Sequence, residues 1–415
     1  MAVAAHADRP AAAGAVVWLA TAGHFLNDAY GNVYPTLVPL VAAAMGFGLV
    51  SGSLVITGVG VAGSVLQPLF GEIADRYSSA LIAPAALAIV AVATGLLGFV
   101  HAAFLFVVLA VIAGVANGAF HPPSLSLVRS VSGQRPGRFA SIFFTGGTAG
   151  RAVGPVLMVA CAALMGVHGL TLLVLPGLAL AVVLGATAPR RAAARAGGAP
   201  HADAAPSAAV PSTLSLVRDR LGPLSVVMAI AITRGVVTTS ISTFWPLLHH
   251  HTVAALFGSS TVIAVMMLAG SVGNIIGGNI SDRVPHHVLL TVTALLAAAS
   301  LGAFALAQGP WIYPFAALAG AFGMSGFAVT TVMGQNLMPE RVATASGLAF
   351  GLANAVGSGL VALLAVAAAT WGGSTALLLA AGLCLLSVPP TLAYPRVLRR
   401  MAGRTQETAM AAAGA

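Results

Sequence analysis

Apolar residues run along this chain in long, nearly unbroken blocks. Twelve stretches can be marked off, near 16–41, 49–71, 80–100, 103–128, 139–165, 168–188, 222–248, 254–281, 286–307, 311–337, 342–368 and 372–394. Each is about the length, roughly 20 residues, that one helix needs to cross the hydrocarbon core of a bilayer. Polar residues are confined to short segments between the blocks, except at 189–221. That segment opens with "PRRAAARAGGAPHADAAPSAAVPS" and has no apolar period, the composition of a flexible linker. The pattern predicts an all-α integral membrane protein: a six-helix bundle at 1–188, a linker at 189–221, and a second six-helix bundle with a tail at 222–415.

Composition strengthens this reading. The chain is 59% hydrophobic and only 7% charged, with a mean hydropathy of +0.98, whereas a soluble domain is about 25% charged. A net charge of +9 is compatible with nucleic-acid binding, but its distribution argues otherwise. All eighteen basic residues are Arg, and sixteen fall in alternate segments: Arg9; Arg76; Arg129, Arg135 and Arg138; Arg190, Arg191, Arg195, Arg218 and Arg220; Arg283; Arg341; Arg396, Arg399, Arg400 and Arg404. The remaining loops have none. This asymmetry predicts that both termini are cytoplasmic, and Trp245, Trp311 and Trp371 fall at the opposite span ends, where interfacial aromatics belong. The first apolar run is too long for the core of a cleaved signal peptide and has no convincing cleavage site after it. Cys161 and Cys384, both inside expected spans, give neither a disulfide framework nor a metal spacing.

The two halves echo each other. "GEIADRY" at 71–77 recurs as "GGNISDRV" at 277–284, which sets Asp75 and Asp282 207 residues apart. "PGRFAS" at 136–141 and "RAVGP" at 151–155 return as "PERVATAS" at 339–346 and "NAVGS" at 354–358, at offsets of 203 to 205. Two parallel six-helix repeats are the architecture of major facilitator transporters, whose substrate sites lie near the bilayer midplane. The chain resembles that superfamily in its G-x-x-x-D-R loops and in "GRAVGP", which looks like the glycine-proline motif of antiporters. More narrowly, "GHFLNDAYGNVYPTLVP", "SVLQPLFGEIADRY", "GAFHPPS" and "GRFASIFFTGGTAGRAVGP" resemble the fosmidomycin-resistance family of drug efflux proteins. The second half matches more loosely, through "TFWPLL", "GNIIGGNISDR" and "LMPERVATASGLAFG". The resemblance implies the major facilitator fold and small-molecule transport. It also implies an acid directly after the His-Pro of the fourth span and another in the tenth; this chain has Pro123 and Asn336 there. Two expected carboxylates are therefore missing, and Asp28 is left with more of any proton-coupling role.

Apart from the loops, the ionisable groups are His24, Asp28, His121, Arg151 and Arg234. A charge at a helix centre is costly, so such groups mark either a functional cavity or a polar contact fastening helices. In "GHFLND" at 23–28, His24 and Asp28 are four apart and share a helix face, with Asn27 extending the polar patch. Burial opposes the ionised carboxylate and a neighbouring imidazolium favours it, so the pair is suited to load and release a proton. Asp28 is expected to be the proton carrier and His24 to tune or relay it. Arg151 and Arg234 stand at mid-depth in spans 5 and 7, one in each half. Their donor forks suit a carboxylate or phosphonate, though one of them could instead only neutralise Asp28. His121 sits before Pro122 and Pro123, which should kink or end the helix. It is expected either to bond the freed carbonyls or to face the substrate cavity. Asp75, Arg76, Arg129, Asp282 and Arg283 occupy cytoplasmic turns and are expected to gate rather than bind. Asp75 is placed to accept from Arg129 and to lie against the positive end of span 11.

Other motifs carry less. "GVGVAG" at 58–63 is formally a dinucleotide fingerprint, but it lies inside a span with no preceding strand. Gly58, Gly60 and Gly63 are expected to permit close helix contact, as are Gly146, Gly147, Gly150 and Gly154. The histidines at 249–251 read as a solvated loop. No P-loop and no nucleophile–base constellation occurs, so neither ATP-driven transport nor enzyme chemistry is expected. The leading expectation is proton-driven efflux of a small anionic drug or metabolite such as fosmidomycin. Uptake symport of an organic acid or sugar is the alternative, and a non-transporting membrane sensor a further class. Proton coupling implies no cofactor or metal beyond the gradient. A lipid bilayer and a small-molecule substrate are the expected partners, nucleic acid is not, and the fold is expected to work as a monomer. Exclusive Arg usage with abundant Ala and Gly suggests a GC-rich genome, hence a bacterial inner membrane.

Overall fold

The computed structural model describes residues 4–47, 49–77, 81–187, 212–248 and 253–413. Most of the expected linker and the histidines at 249–251 lie outside them. Among the described residues every regular element is helical. In chain order these are α1 (Ala4–Gly31), α2 (Tyr34–Met45), α3 (Leu49–Val65), α4 (Gln67–Arg76), α5 (Ile82–Leu96), α6 (Ala103–Val131), α7 (Pro136–Met165) and α8 (Val174–Ala186), then α9 (Thr213–Asp219), α10 (Leu221–Leu248), α11 (Val253–Ser281), α12 (His286–Leu306), α13 (Ile312–Met324), α14 (Phe327–Leu337), α15 (Val342–Ser346), α16 (Ala353–Trp371), α17 (Gly373–Leu385) and α18 (Val388–Ala413). A π-helical turn, Gly347–Leu352, joins α15 to α16. Ten segments among the described residues are long and apolar enough to cross a membrane. The stretches expected as the first and fifth spans are helical too, as α1 with α2 and as α7.

The chain divides into two compact units, Met1–Ala205 with Arg341–Ala355 and Pro206–Glu340 with Val356–Ala415. Residues 341–355, expected with the second half, group with the first. Their attachment to α4 has two physical causes. The Asp75 carboxylate accepts from the backbone N–H groups of Ala343 (3.0 Å) and Thr344 (2.8 Å) and from the Thr344 hydroxyl (2.8 Å). It therefore satisfies the otherwise unpaired donors at the start of α15 and places a negative charge at the positive end of a helix. The second cause is size. A Cβ on Gly71 would meet the Ala343 carbonyl at 2.5 Å, and one on Gly347 the Gln67 carbonyl at 2.6 Å, so both must be glycine for the backbones to approach this closely. Glu72 joins the same corner, pairing with Arg76 and accepting from Thr344 Oγ1 at 3.4 Å.

Lipid supplies no hydrophobic force between helices, so association depends on van der Waals contact, which small residues make possible. In the first unit, Gly146, Gly150 and Gly154 form an i+4 stripe on α7 that faces the backbone of α1 at Thr21, Phe25 and Ala29, while Gly147 faces the His24 ring. Gly63 on α3 meets Gly114 and Gly118 on α6 in the same way. Gly58 and Gly60 do not; both face open space, so of that motif Gly63 alone makes the expected close contact. Pro122 and Pro123 do not end α6 either, which runs on to Val131. Residues 118 to 126 of α6 are buried throughout, and packing on all sides holds helical backbone that has lost two donors.

The second unit repeats the glycine device where α11 crosses α13 and the turn after it: Gly273 faces the Ala321 carbonyl and Gly277 the Ser325 carbonyl. Its core gathers Phe244, Met266, Leu301 and Phe304, with Trp245 tilted against Phe304 at 4.8 Å. Just before α10, Arg220 grips Glu340 through two bonds of 2.6 and 2.7 Å and also donates to the Leu337 carbonyl at 2.7 Å. The bond from Arg220 holds the Glu340 carboxyl below its usual range. This pairing stabilises the fold above the ordinary carboxylate range and loses its effect as pH falls through the lowered value.

Gly150→Val should force α1 from α7 and lower stability by about 1–3 kcal/mol or more, whereas Gly58→Ala should leave the thermal midpoint unchanged; equal effects would contradict the packing described. Asp75→Asn keeps the side chain's shape but removes its charge. A loss of about 1 kcal/mol is expected in thermal unfolding, and an unchanged midpoint would show that the helix end does not hold the carboxylate.

Candidate functional site

α1, α6 and α7 bring five of the six proposed coupling and binding residues together in the first unit. His24, Asn27, Asp28 and His121 are 1%, 0%, 5% and 4% exposed. They meet because α7 presents glycine to α1: any side chain at position 147 would occupy the space of the His24 ring. That ring stacks on Phe143, with centroids 4.1 Å apart, and meets the His121 ring edge-on at 4.9 Å.

Hydrogen bonding fixes the protonation geometry. His24 Nδ1 lies 2.8 Å from the Phe143 carbonyl, which can only accept, so Nδ1 carries the hydrogen and Nε2 is turned toward Asp28 Oδ2 at 3.4 Å. A lone pair and a carboxylate repel at that distance; a proton on either atom makes the contact attractive. His121 Nε2 is 3.1 Å from Asp28 Oδ1, and its Nδ1 has no partner. The Asn27 amide donates to the same Oδ1 at 3.3 Å and to the Asn117 carbonyl at 3.2 Å, and Asn117 returns a bond to the Asn27 carbonyl at 2.8 Å. From α7, Arg151 Nε stands 3.9 Å from Asp28 Oδ2. One carboxylate is thus ringed by two imidazoles and a guanidinium.

Arg151 is the exposed member of the set, at 33% of its side-chain surface. Nη2 makes a long contact to Thr148 Oγ1 (3.5 Å), Nε makes no hydrogen bond, and the backbone carbonyl is held by Asn32 at 2.9 Å. It borders a small, partly open cleft lined by Asp28, Gly31, Asn32, Ser64, Gln67, Asn117, His121, Arg151, Phe350 and Asn354. The π-helical turn carries Phe350 into this lining, tilted against His121 (5.6 Å) and Phe144 (4.8 Å).

Arg234 is placed differently. It is 1% exposed in the second unit and donates to the carbonyls of Leu290 (3.0 Å) and Phe322 (2.9 Å) and to Ser325 Oγ (3.3 Å). These bonds tie α10 to α12 and to the end of α13. Arg76 is exposed beside Glu72, Arg129 contacts Ser132 Oγ at 3.4 Å, and Asp282 and Arg283 follow the end of α11.

Sequence reasoning missed the amide lining. Asn32, Asn117, Asn354 and Gln67 interrupt apolar stretches and could have been found by treating uncharged polar residues as the ionisable ones were treated. Donor atoms of His24, Asp28 and His121 lie within 4.8 Å of one another, the spread from which a metal site could be assembled. The fixed positive charge of Arg151 against the same carboxylate opposes a divalent cation there.

Comparison with known proteins bears on the fold and on the family. The family model for the Major Facilitator Superfamily matches residues 17–366. MFS-type transporter YfnC of Bacillus subtilis (strain 168) is 27% identical over 347 residues, covering 82% of this chain and 83% of that protein. The fosmidomycin resistance protein of Escherichia coli (strain K12) is 24% identical over 337 residues, covering 80% and 81%. Among solved structures, FucP, the E. coli fucose:proton symporter, superposes in its outward conformation with a TM-score of 0.67 at 17% identity, covering 90% of this chain and 97% of that one. The human organic anion transporter MFSD10 superposes with a TM-score of 0.66 at 15% identity, covering 91% and 98%. With most of its length matched by the family model and a fold shared with solved members, this multi-pass membrane chain belongs to the Major Facilitator Superfamily of transporters.

Proposed function

We propose that this chain is a proton-coupled secondary carrier of a small organic anion, a drug or metabolite, working by alternating access. The observation that carries the reading is the convergence of His24, His121 and a one-third-exposed Arg151 on Asp28 at the edge of one polar cleft. Asp28 is the proton carrier. His24 and His121 tune it and can relay the proton, and Asn27 orients it. Arg151 receives the anionic group of the substrate, because its side chain lines the cleft and is one-third exposed. Arg234 has bonded two backbone carbonyls and a hydroxyl, so the anion role rests on Arg151. Asp75, Arg76, Arg129, Asp282 and Arg283 serve the cytoplasmic gate, with Asp75 latching the start of α15. Its proposed setting is a bacterial inner membrane with both termini cytoplasmic, which the confinement of Arg to alternate loops supports.

Two directions are open to such a carrier. Likeness to a fosmidomycin resistance protein supports export of a phosphonate drug by antiport. The short distance between Asp28 and Arg151 supports uptake by symport instead.

Fosmidomycin accumulation in efflux-deficient bacteria gives the first test. Expression of the wild type should change accumulation relative to empty vector, downward for export and upward for import. At matched expression Asp28→Asn should abolish the change, and Arg151→Gln should weaken apparent affinity by about tenfold or more. A wild-type effect that survives Asp28→Asn contradicts the proton assignment, and no effect at all removes this drug as the substrate.

A further inference from the structure

We infer that Asn354 determines which anions this site accepts. Arg151 takes the anionic end of the substrate, and Asn354 takes a neutral amide or hydroxamate group at the other end. The inference rests on the anion reading of Arg151 given above. Its starting point is the internal repeat. "RAVGP" begins at Arg151 and "NAVGS" at Asn354, so the two residues hold equivalent positions, 203 apart. Equivalent positions of parallel repeats lie at the same depth about the axis that relates them. The structure adds what repetition alone does not give: both residues line one cleft, Arg151 from α7 and Asn354 from the start of α16. Two glycines bring this second segment in. A Cβ on Gly347 or Gly351 would meet Gln67, at 2.6 and 2.4 Å, so only glycine lets the chain lie this close to α4. Phe350 and Asn354, four residues apart, then border the cleft.

Four amides line the cleft, and three of them are bonded or buried. Asn32 holds the Arg151 carbonyl, Asn117 is bonded with Asn27, and Gln67 is 5% exposed. Asn354 is exposed and makes no hydrogen bond among the described residues. An amide in an apolar stretch is costly unless it fastens helices or meets water or a ligand, and this one fastens nothing. It offers an acceptor and two donors in one plane, which match a neutral group that also accepts and donates. Charge sets the second limit. Arg151 is the single permanent cation among the residues lining the cleft, and Asp28 already stands against it. A second anionic group near position 354 would find no cation and would add to the repulsion from Asp28. Asparagine, where the first repeat has arginine, therefore selects against doubly charged anions.

The test is binding to the purified, lipid-reconstituted full chain at one fixed pH. The probes share one chain length: fosmidomycin, with a phosphonate and a hydroxamate; propylphosphonate, with the phosphonate alone; and propane diphosphonate, with a phosphonate at each end. Wild type should prefer fosmidomycin to propylphosphonate by about tenfold, the worth of two neutral hydrogen bonds. Asn354→Leu should remove that preference by weakening fosmidomycin alone. Asn354→Arg, which copies the residue of the first repeat, should bind the diphosphonate about tenfold or more tightly than wild type does. Misfolding cannot produce that gain. Arg151→Gln should weaken fosmidomycin and propylphosphonate alike, by about tenfold or more. An Asn354→Leu variant that keeps the preference overturns the assignment of Asn354 and leaves the anion site standing. No gain in Asn354→Arg overturns the charge limit alone. Binding indifferent to Arg151→Gln, or no binding of either monophosphonate, overturns the anion reading and the inference with it.

Discussion

Everything at the centre of the first unit depends on how one buried carboxylate is neutralised. Asp28 is 5% exposed in the middle of an apolar bundle, and an ion there is tolerable only when partners offset its lost hydration. The fold supplies three such partners at 3.1 to 3.9 Å, each from a different place: His24 one helical turn back on α1, His121 on α6 and Arg151 on α7. None of the four is fully engaged by the others. His24 Nε2 and Arg151 Nε lack hydrogen bonds, and His121 Nδ1 has none. A network left incomplete in this way has room for one more charged particle of either sign, which is what a coupled carrier needs.

Small residues make that geometry possible. The α7 stripe of Gly146, Gly150 and Gly154 lets α1 approach until its carbonyls would touch any side chain there, and Gly147 leaves the volume that the His24 ring fills. The Phe143 carbonyl, one turn before Gly147 on the same helix, then sets the His24 tautomer. Packing and protonation chemistry are thus the same contact seen at two scales. The π-helical turn contributes similarly at the cleft's edge: its altered winding carries Phe350 against His121, and Asp75 anchors the helix start that precedes it.

Much of this could be read from residue order. Length and apolarity of the blocks gave the helices, and Arg151 and His121 stood out as ionisable groups inside apolar runs. The His24–Asp28 pair followed from its i,i+4 spacing. Three things were not legible, each for a physical reason. Assignment of 341–355 to the first unit depends on a capping contact between residues 268 apart in sequence. That Arg234 bonds backbone carbonyls while Arg151 faces a cleft depends on which carbonyls tertiary packing leaves free, and both arginines sit at similar depth in similar helices. Gly58 and Gly60 look identical to Gly63 in sequence, yet only the last lies on the crossing face.

Infrared difference spectroscopy of the reconstituted protein tests the central claim, that Asp28 changes protonation as the site loads. Spectra would be taken before and after fosmidomycin addition near neutral pH, on wild type and on Asp28→Asn. The account predicts a change in a protonated carboxyl band, or in an imidazolium band if the proton rests on His24 or His121, that the Asn variant does not show. A spectrum unchanged at carboxyl and imidazole frequencies, or the same bands in Asp28→Asn, would contradict it.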